Sequence, residues 1–331
     1  MQPAHPPEWD LWPKTHPWVV PPEKAYLKAG PALETCLARM HIPESLWGHL
    51  TGASLGLGSW IASKHQGSPL LVGINGAQGS GKSTTAELLA TTLSQVHGLA
   101  TISCSIDDFY LTHAERVQLA QKVHPLLVTR GVPGTHDLKL LDETLTHLMQ
   151  ADPEKTTRIP RFNKAMDDRL PEDQWDSFKG RPDVVILEGW CVGTTPQPKV
   201  HLKEAINALE ALEDADGRWR RYVNDALCDG YRSLFKRLDL LVFLKIPDFF
   251  AVIEWRSLQE RKLMEQTGPL SSSKIMDTSA IRRFVMHFER LTRWNLEELP
   301  SLADMTLELD RSHRFVRGSR NLRNQTLKHL S

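Results

Sequence analysis

The eight residues Gly76-Ala77-Gln78-Gly79-Ser80-Gly81-Lys82-Ser83 match G-x-x-x-x-G-K-[ST] in full. Glycines at these spacings let successive backbone N–H groups converge on one anion, and a helix beginning at the lysine adds a favourable dipole. The pattern therefore predicts a cradle for the phosphates of a nucleoside triphosphate, formed by Gly76 through Thr84. Lys82 is expected to reach the β and γ phosphates, and Ser83 to offer its hydroxyl to Mg²⁺.

Two further carboxylate positions stand where chemistry is expected. SIDDFYL sets Asp107 and Asp108 directly after an apolar run, where Asp107 is the expected base for an attacking hydroxyl. VVILEGW sets Glu188 at the end of an all-apolar run, as a Mg²⁺ ligand, direct or through water. Between them lies a long connection rich in turn residues. Its Arg130, His136, Arg161 and Lys164 suit the grip of a small acid.

These groups need a scaffold that gathers strand ends. Apolar runs at 69–76, 101–106, 184–187 and 240–246 alternate with helical patterns, which predicts an α/β fold with a mostly parallel central sheet covered on both faces. Helices are expected after the phosphate loop, from Thr112 (with Glu115 at capping-box spacing) through Val123, and over 137–150, 200–213, 218–237, 249–266 and 279–294. Met305 to Leu309 reads as a last strand. Residues 1–66 read as a Pro-rich lead and a helical extension, with helix around Leu27 to Met40 and Ser45 to Leu50. Residues 67–310 then form the nucleotide-binding domain, with a substrate insertion at 111–182 and a lid at 249–278, and 311–331 form a basic tail.

Composition removes several classes. The chain has 331 residues, 40% of them hydrophobic, and its 40 basic residues balance 40 acidic ones, so no global charge favours nucleic acid. The four cysteines form neither a CxxC pair nor a Cys/His cluster. With no 18-residue apolar stretch and a charged, Pro-rich start unlike a signal peptide, a cytoplasmic setting is expected. Oligomeric state is not legible. The six basic residues of the tail admit an RNA or acidic-partner contact, although a solvated or packed tail is the commoner arrangement.

In these motifs the sequence resembles the P-loop kinases related to phosphoribulokinase, uridine kinase and pantothenate kinase, and among them the plant-type D-glycerate 3-kinases with their bacterial and fungal relatives. GINGAQGSGKST, SIDDFYLT, GVPGTHDL, IPRFNKAMDDR and VVILEGWCVG carry the resemblance, from about Leu70 to Leu309. It implies a three-layer P-loop fold, MgATP as phosphoryl donor, Asp107 as catalytic base, and substrate contacts from His136, Asp137, Arg161 and Lys164. It also implies that Arg256 and Arg261, in EWRSLQERK, cover the transferred phosphate. The implied reaction converts D-glycerate to 3-phosphoglycerate. Readings left beside it are a kinase for a nucleoside, a pantothenate-like acid or a sugar phosphate, and a noncatalytic ATP-binding regulator. The chain departs from the family pattern at Asn163 and Ala165, and at SSSKIMD, Ser271 to Asp277.

Overall fold

A computed structural model describes residues 5–267 and 278–321, with only the backbone for 259–267 and 278. Arg261 and SSSKIMD therefore have no side-chain description, and the basic tail is described only to Asn321.

Six strands form the main sheet in the order β10-β9-β8-β1-β7-β2. β1 (Leu70–Gly76), β2 (Thr101–Ser105), β7 (Val184–Gly189), β8 (Leu240–Lys245) and β9 (Met305–Leu309) run parallel, and β10 (Phe315–Arg320) closes the edge antiparallel to β9. Successive residues of the central strands feed opposite cores. Val72, Ile74, Ile186, Val242 and Leu244 face one, and Leu71, Val185, Leu187, Leu241 and Phe243 the other. Burial on both faces explains why these strands read as unbroken apolar runs rather than alternating ones. The result is the three-layer α/β fold expected of a P-loop protein.

One face is covered by α1 (Pro22–Arg39), α2 (Trp47–Ala62) and α3 (Lys82–His97). α1 buries Ala25, Ala29, Leu33 and Leu37, one residue per turn. α2 differs from the short helix expected at 45–50. It continues to Ala62 through the glycine-rich LTGASLGLGSW because it is buried almost all round, and a helix without a wet face carries no amphipathic signal. These helices share their hydrophobic cluster with α3 and the sheet.

The other face packs against α5 (Leu138–Met149), α7 (Arg218–Ala226), α8 (Arg232–Phe235) and α10 (Thr278–Leu302). α4 (His113–Lys122) starts on the Thr112/Glu115 capping box, as its spacing predicts. The helix expected over 200–213 shrinks to α6 (Ala208–Glu213), and the one over 218–237 is interrupted at Leu227–Tyr231 by a π-turn that turns Tyr231 inward. The connection between β2 and β7 is not all loop. It holds two small hairpins, β3 (Thr156–Ile159) with β6 (Asp176–Lys179), and β4 (Phe162–Asn163) with β5 (Asp168–Arg169). α9 (Phe249–Thr267) follows β8. The segment read as a tail from residue 311 instead returns as β10, because Phe315 is buried against the sheet edge. No helix among the described residues is long and apolar enough to cross a membrane.

Candidate active site

The loop between β1 and α3 takes left-handed backbone at Gly79 (φ 81°) and Gly81 (φ 84°), which side chains with a Cβ rarely adopt. Gly79 also lies under Trp255 of α9, whose Cβ would stand 3.0 Å from an added methyl. Lys82 opens α3 and donates its Nζ to Ala77 O at 3.1 Å. Burial lowers its pKa, against the pull of Glu188 and Asp107, and an anion entering the loop would favour its charged form. Ser80 Oγ is buried without a partner among the described residues. A turn of glycines, an enclosed ammonium and an unused hydroxyl fit a polyphosphate.

β1 and β2 each pair with β7, so three strand ends meet beside this loop. Glu188, opposite Ile74 and Ser105 in register, accepts the Ser83 hydroxyl at 2.8 Å. Carboxylate and hydroxyl oxygens held together are a donor pair suited to a hard cation such as Mg²⁺.

From β2 the chain enters a short 3₁₀ turn, Ile106–Phe109, which points the two aspartates differently. Asp108 accepts Phe162 N–H at 3.1 Å and Arg161 Nη1 at 2.8 Å, anchoring the β4–β5 hairpin. Asp107 is 26% exposed. Its Oδ1 accepts the Tyr110 hydroxyl and its Oδ2 the Lys164 ammonium, each at 2.7 Å. Burial pushes the Asp107 carboxyl up, but Lys164, Tyr110 and Lys82 outweigh it and hold the pKa at about 2. Asp107 thus lies within the electrostatic reach of the phosphate-loop lysine.

His136, 5% exposed, stacks on Tyr110 with ring centres 4.5 Å apart. The Tyr231 oxygen accepts Gly134 N–H, and its own proton faces His136 Nδ1 at 2.6 Å. With the Tyr231 hydroxyl donating to Nδ1, the imidazole hydrogen sits on Nε2, which is buried with no partner among the described residues. Burial lowers the His136 pKa to about 4, against the pull of Asp107, so the ring is neutral at pH 7 and presents an N–H donor.

The other substrate-side candidates are held by internal partners. Arg161 pairs with Asp108 and Asp176, and Arg130 with Asp167 and with Lys164 O. Asp137 caps α5 by accepting Leu140 N–H at 3.0 Å and pairs with Arg169 at 3.1 Å. Arg256 lays its guanidinium over Phe284 of α10, 5.7 Å from the ring centre. Sequence reasoning missed Tyr231, whose helical pattern hides its inward turn. It also missed the 310–314 turn, where His313 Nε2 donates to Gly79 O at 3.0 Å and its ring stacks on Trp255 at 4.2 Å. Tyr110 was legible as the last residue of DDFY, though not its bond to Asp107.

Fold and site together define a P-loop kinase, a phosphotransferase. The profile of the phosphoribulokinase / uridine kinase family matches residues 71–196. The chain is 34% identical over 238 residues to the uncharacterized kinase mug58 of Schizosaccharomyces pombe, covering 68% of this chain and 80% of that one. It is 31% identical over 243 residues to the chloroplastic D-glycerate 3-kinase of Arabidopsis thaliana, covering 71% of this chain and 50% of that enzyme's length. Among solved structures, D-glycerate 3-kinase from Cryptococcus neoformans superposes with a TM-score of 0.70 at 25% identity, covering 83% of this chain and all of that one. The chain belongs to the phosphoribulokinase / uridine kinase family of P-loop kinases.

Proposed function

We propose that the protein transfers the γ-phosphoryl group of MgATP to a hydroxyl of a small hydroxy acid, D-glycerate, giving 3-phosphoglycerate. The observation that carries this reading is the part-exposed Asp107 carboxylate between Lys164 and Tyr110, in the field of Lys82. The D-glycerate 3-kinases of Arabidopsis and Cryptococcus, similar over most of this chain, supply the acceptor.

A carboxylate with a pKa of about 2 is a poor base as it stands. The same lysine supplies the remedy, because an acceptor carboxylate competes for Lys164 Nζ. Drawing that ammonium from Asp107 raises the aspartate's basicity only when the acceptor is present. The Nε2–H of His136 is a second point of attachment, for a hydroxyl or carboxylate oxygen. Two donors and one acceptor would orient a short hydroxy acid, which is most of what a loose phosphoryl-transfer transition state asks of the protein.

Gly76 through Thr84 would hold the nucleotide, and Ser83 with Glu188 the metal ion. When bound, Mg²⁺ supplies charge neutralisation on the phosphate oxygens. Lys82 adds to that neutralisation, and Asp107 takes the proton of the attacking hydroxyl. The test is ADP release with D-glycerate, its enantiomer, pantothenate, uridine and a sugar phosphate. Turnover with D-glycerate alone supports the reading, and selective turnover with another acceptor reassigns it.

A further inference from the structure

Residues 5–20 form a strap along α2 with a four-residue period. Glu8 N–H donates to Gly48 O at 2.9 Å, Trp12 Nε1 to Gly52 O at 2.9 Å, and His16 Nε2 to Gly56 O at 2.8 Å. Glycine is needed for this approach, since a Cβ on Gly52 would stand 1.8 Å from Glu8 O, and one on Gly48 2.3 Å from Pro6 O. The strap thereby fixes Glu8, whose carboxylate pairs with Arg314 and faces His49 Nδ1 at 3.3 Å. Phe315 N–H donates to His49 Nε2 at 2.8 Å, so that nitrogen carries the lone pair and Nδ1 the hydrogen.

Arg314 and Phe315 directly follow His313, a non-glycine residue held at φ 64°. Such a conformation persists only where its surroundings over-determine it. Asp310 Oδ1 supplies part of that constraint by accepting the N–H groups of Ser312 and Arg314. The His313 ring then holds Gly79 O, while Ser80 N–H of the same peptide unit donates to Ala77 O at 3.2 Å. That peptide plane, at the crown of the phosphate loop, is gripped from both sides.

We infer that Glu8 and His49 are positioning residues for nucleotide binding, acting through the 310–315 turn and His313 on the Gly79–Ser80 peptide. The inference rests on the phosphate-loop reading and is independent of which acceptor is phosphorylated.

The test uses the full chain carrying Glu8→Gln, His49→Leu, His49→Gln or Gly52→Ala, each checked for folding by thermal melting. MgADP affinity is measured by calorimetry, and the KM values of both substrates by ADP release. Glu8→Gln, His49→Leu and Gly52→Ala are expected to weaken MgADP binding and raise the KM for MgATP about fivefold to tenfold. The kcat and the acceptor KM should change less than twofold. His49→Gln keeps an acceptor for Phe315 N–H and should recover most of the loss. If His49→Leu fails to fold, Glu8→Gln, which alters a part-exposed side chain, carries the same test. MgADP affinity within twofold of wild type in folded variants overturns the inference, as does a parallel rise of both KM values.

Discussion

Lys164 Nζ donates to Asp107 Oδ2 at 2.7 Å and joins two separate elements, Asp107 following the end of β2 and Lys164 lying in the turn between β4 and β5. That bond adds to the anchors that Asp108 gives the hairpin and, with Tyr110 and Lys82, holds the Asp107 carboxyl ionised. Removing the ammonium by Lys164→Met leaves burial as the main influence on Asp107, and burial raises its pKa. The acid limb of the kcat/KM profile is expected to move to higher pH, and the acceptor KM to rise at least about tenfold. A pH–rate series on wild type and variant reads both.

Acid stability is expected to depend on His136. Its folded pKa of about 4 lies below the unfolded value near 6.5, so the unfolded chain binds more protons between these limits. The stabilisation is complete above about pH 6.5 and is lost as pH falls toward 4, on the order of 3 kcal/mol by linkage. Denaturant melts at pH 7 and pH 4.5 should show a smaller difference for His136→Gln than for wild type.

The Ser83–Glu188 pair should govern metal dependence. Glu188→Gln keeps a hydrogen bond to the Ser83 hydroxyl but removes the charge available to a cation. The Mg²⁺ concentration for half-maximal rate is expected to rise about tenfold or more, with a comparable fall in kcat at saturating nucleotide. A Mg²⁺ titration at fixed ATP measures it.

Two glycines separate backbone strain from steric contact. Gly81 has φ 84° and open space where a Cβ would go, whereas Gly79 has φ 81° and Trp255 within 3.0 Å. Gly81→Ala should cost about 1 kcal/mol of loop strain, roughly a fivefold loss of MgADP affinity. Gly79→Ala should lose clearly more, because Trp255 must also give way. Calorimetric titration of both variants compares them.

The parts of this molecule written in local pattern were readable in advance. The central parallel strands are buried on both faces and so appear as plain apolar runs, and the phosphate loop, Asp107 and Glu188 sit at their ends. What escaped depends on pairing between distant segments. α2 is glycine-rich because residues 5–16 lie on it, and nothing local marks such a helix. β10 has one well-buried residue, Phe315, in an arginine-rich stretch, so only its neighbour β9 identifies it as a strand. The cations of the insertion were visible as charges, but not which carboxylate each would meet. Arg161 belongs with Asp108 and Asp176, Arg130 with Asp167, and Lys164 alone among these three with Asp107.

The most direct measurement is ADP release by wild type and Asp107→Asn with D-glycerate beside L-glycerate, paired with MgADP binding to both proteins. The expected result is turnover dependent on the D enantiomer, lowered at least about 100-fold by the substitution, with MgADP affinity within about threefold of wild type. Undiminished D-glycerate-dependent turnover in Asp107→Asn, or no acceptor-dependent turnover in wild type that binds MgADP, would contradict it.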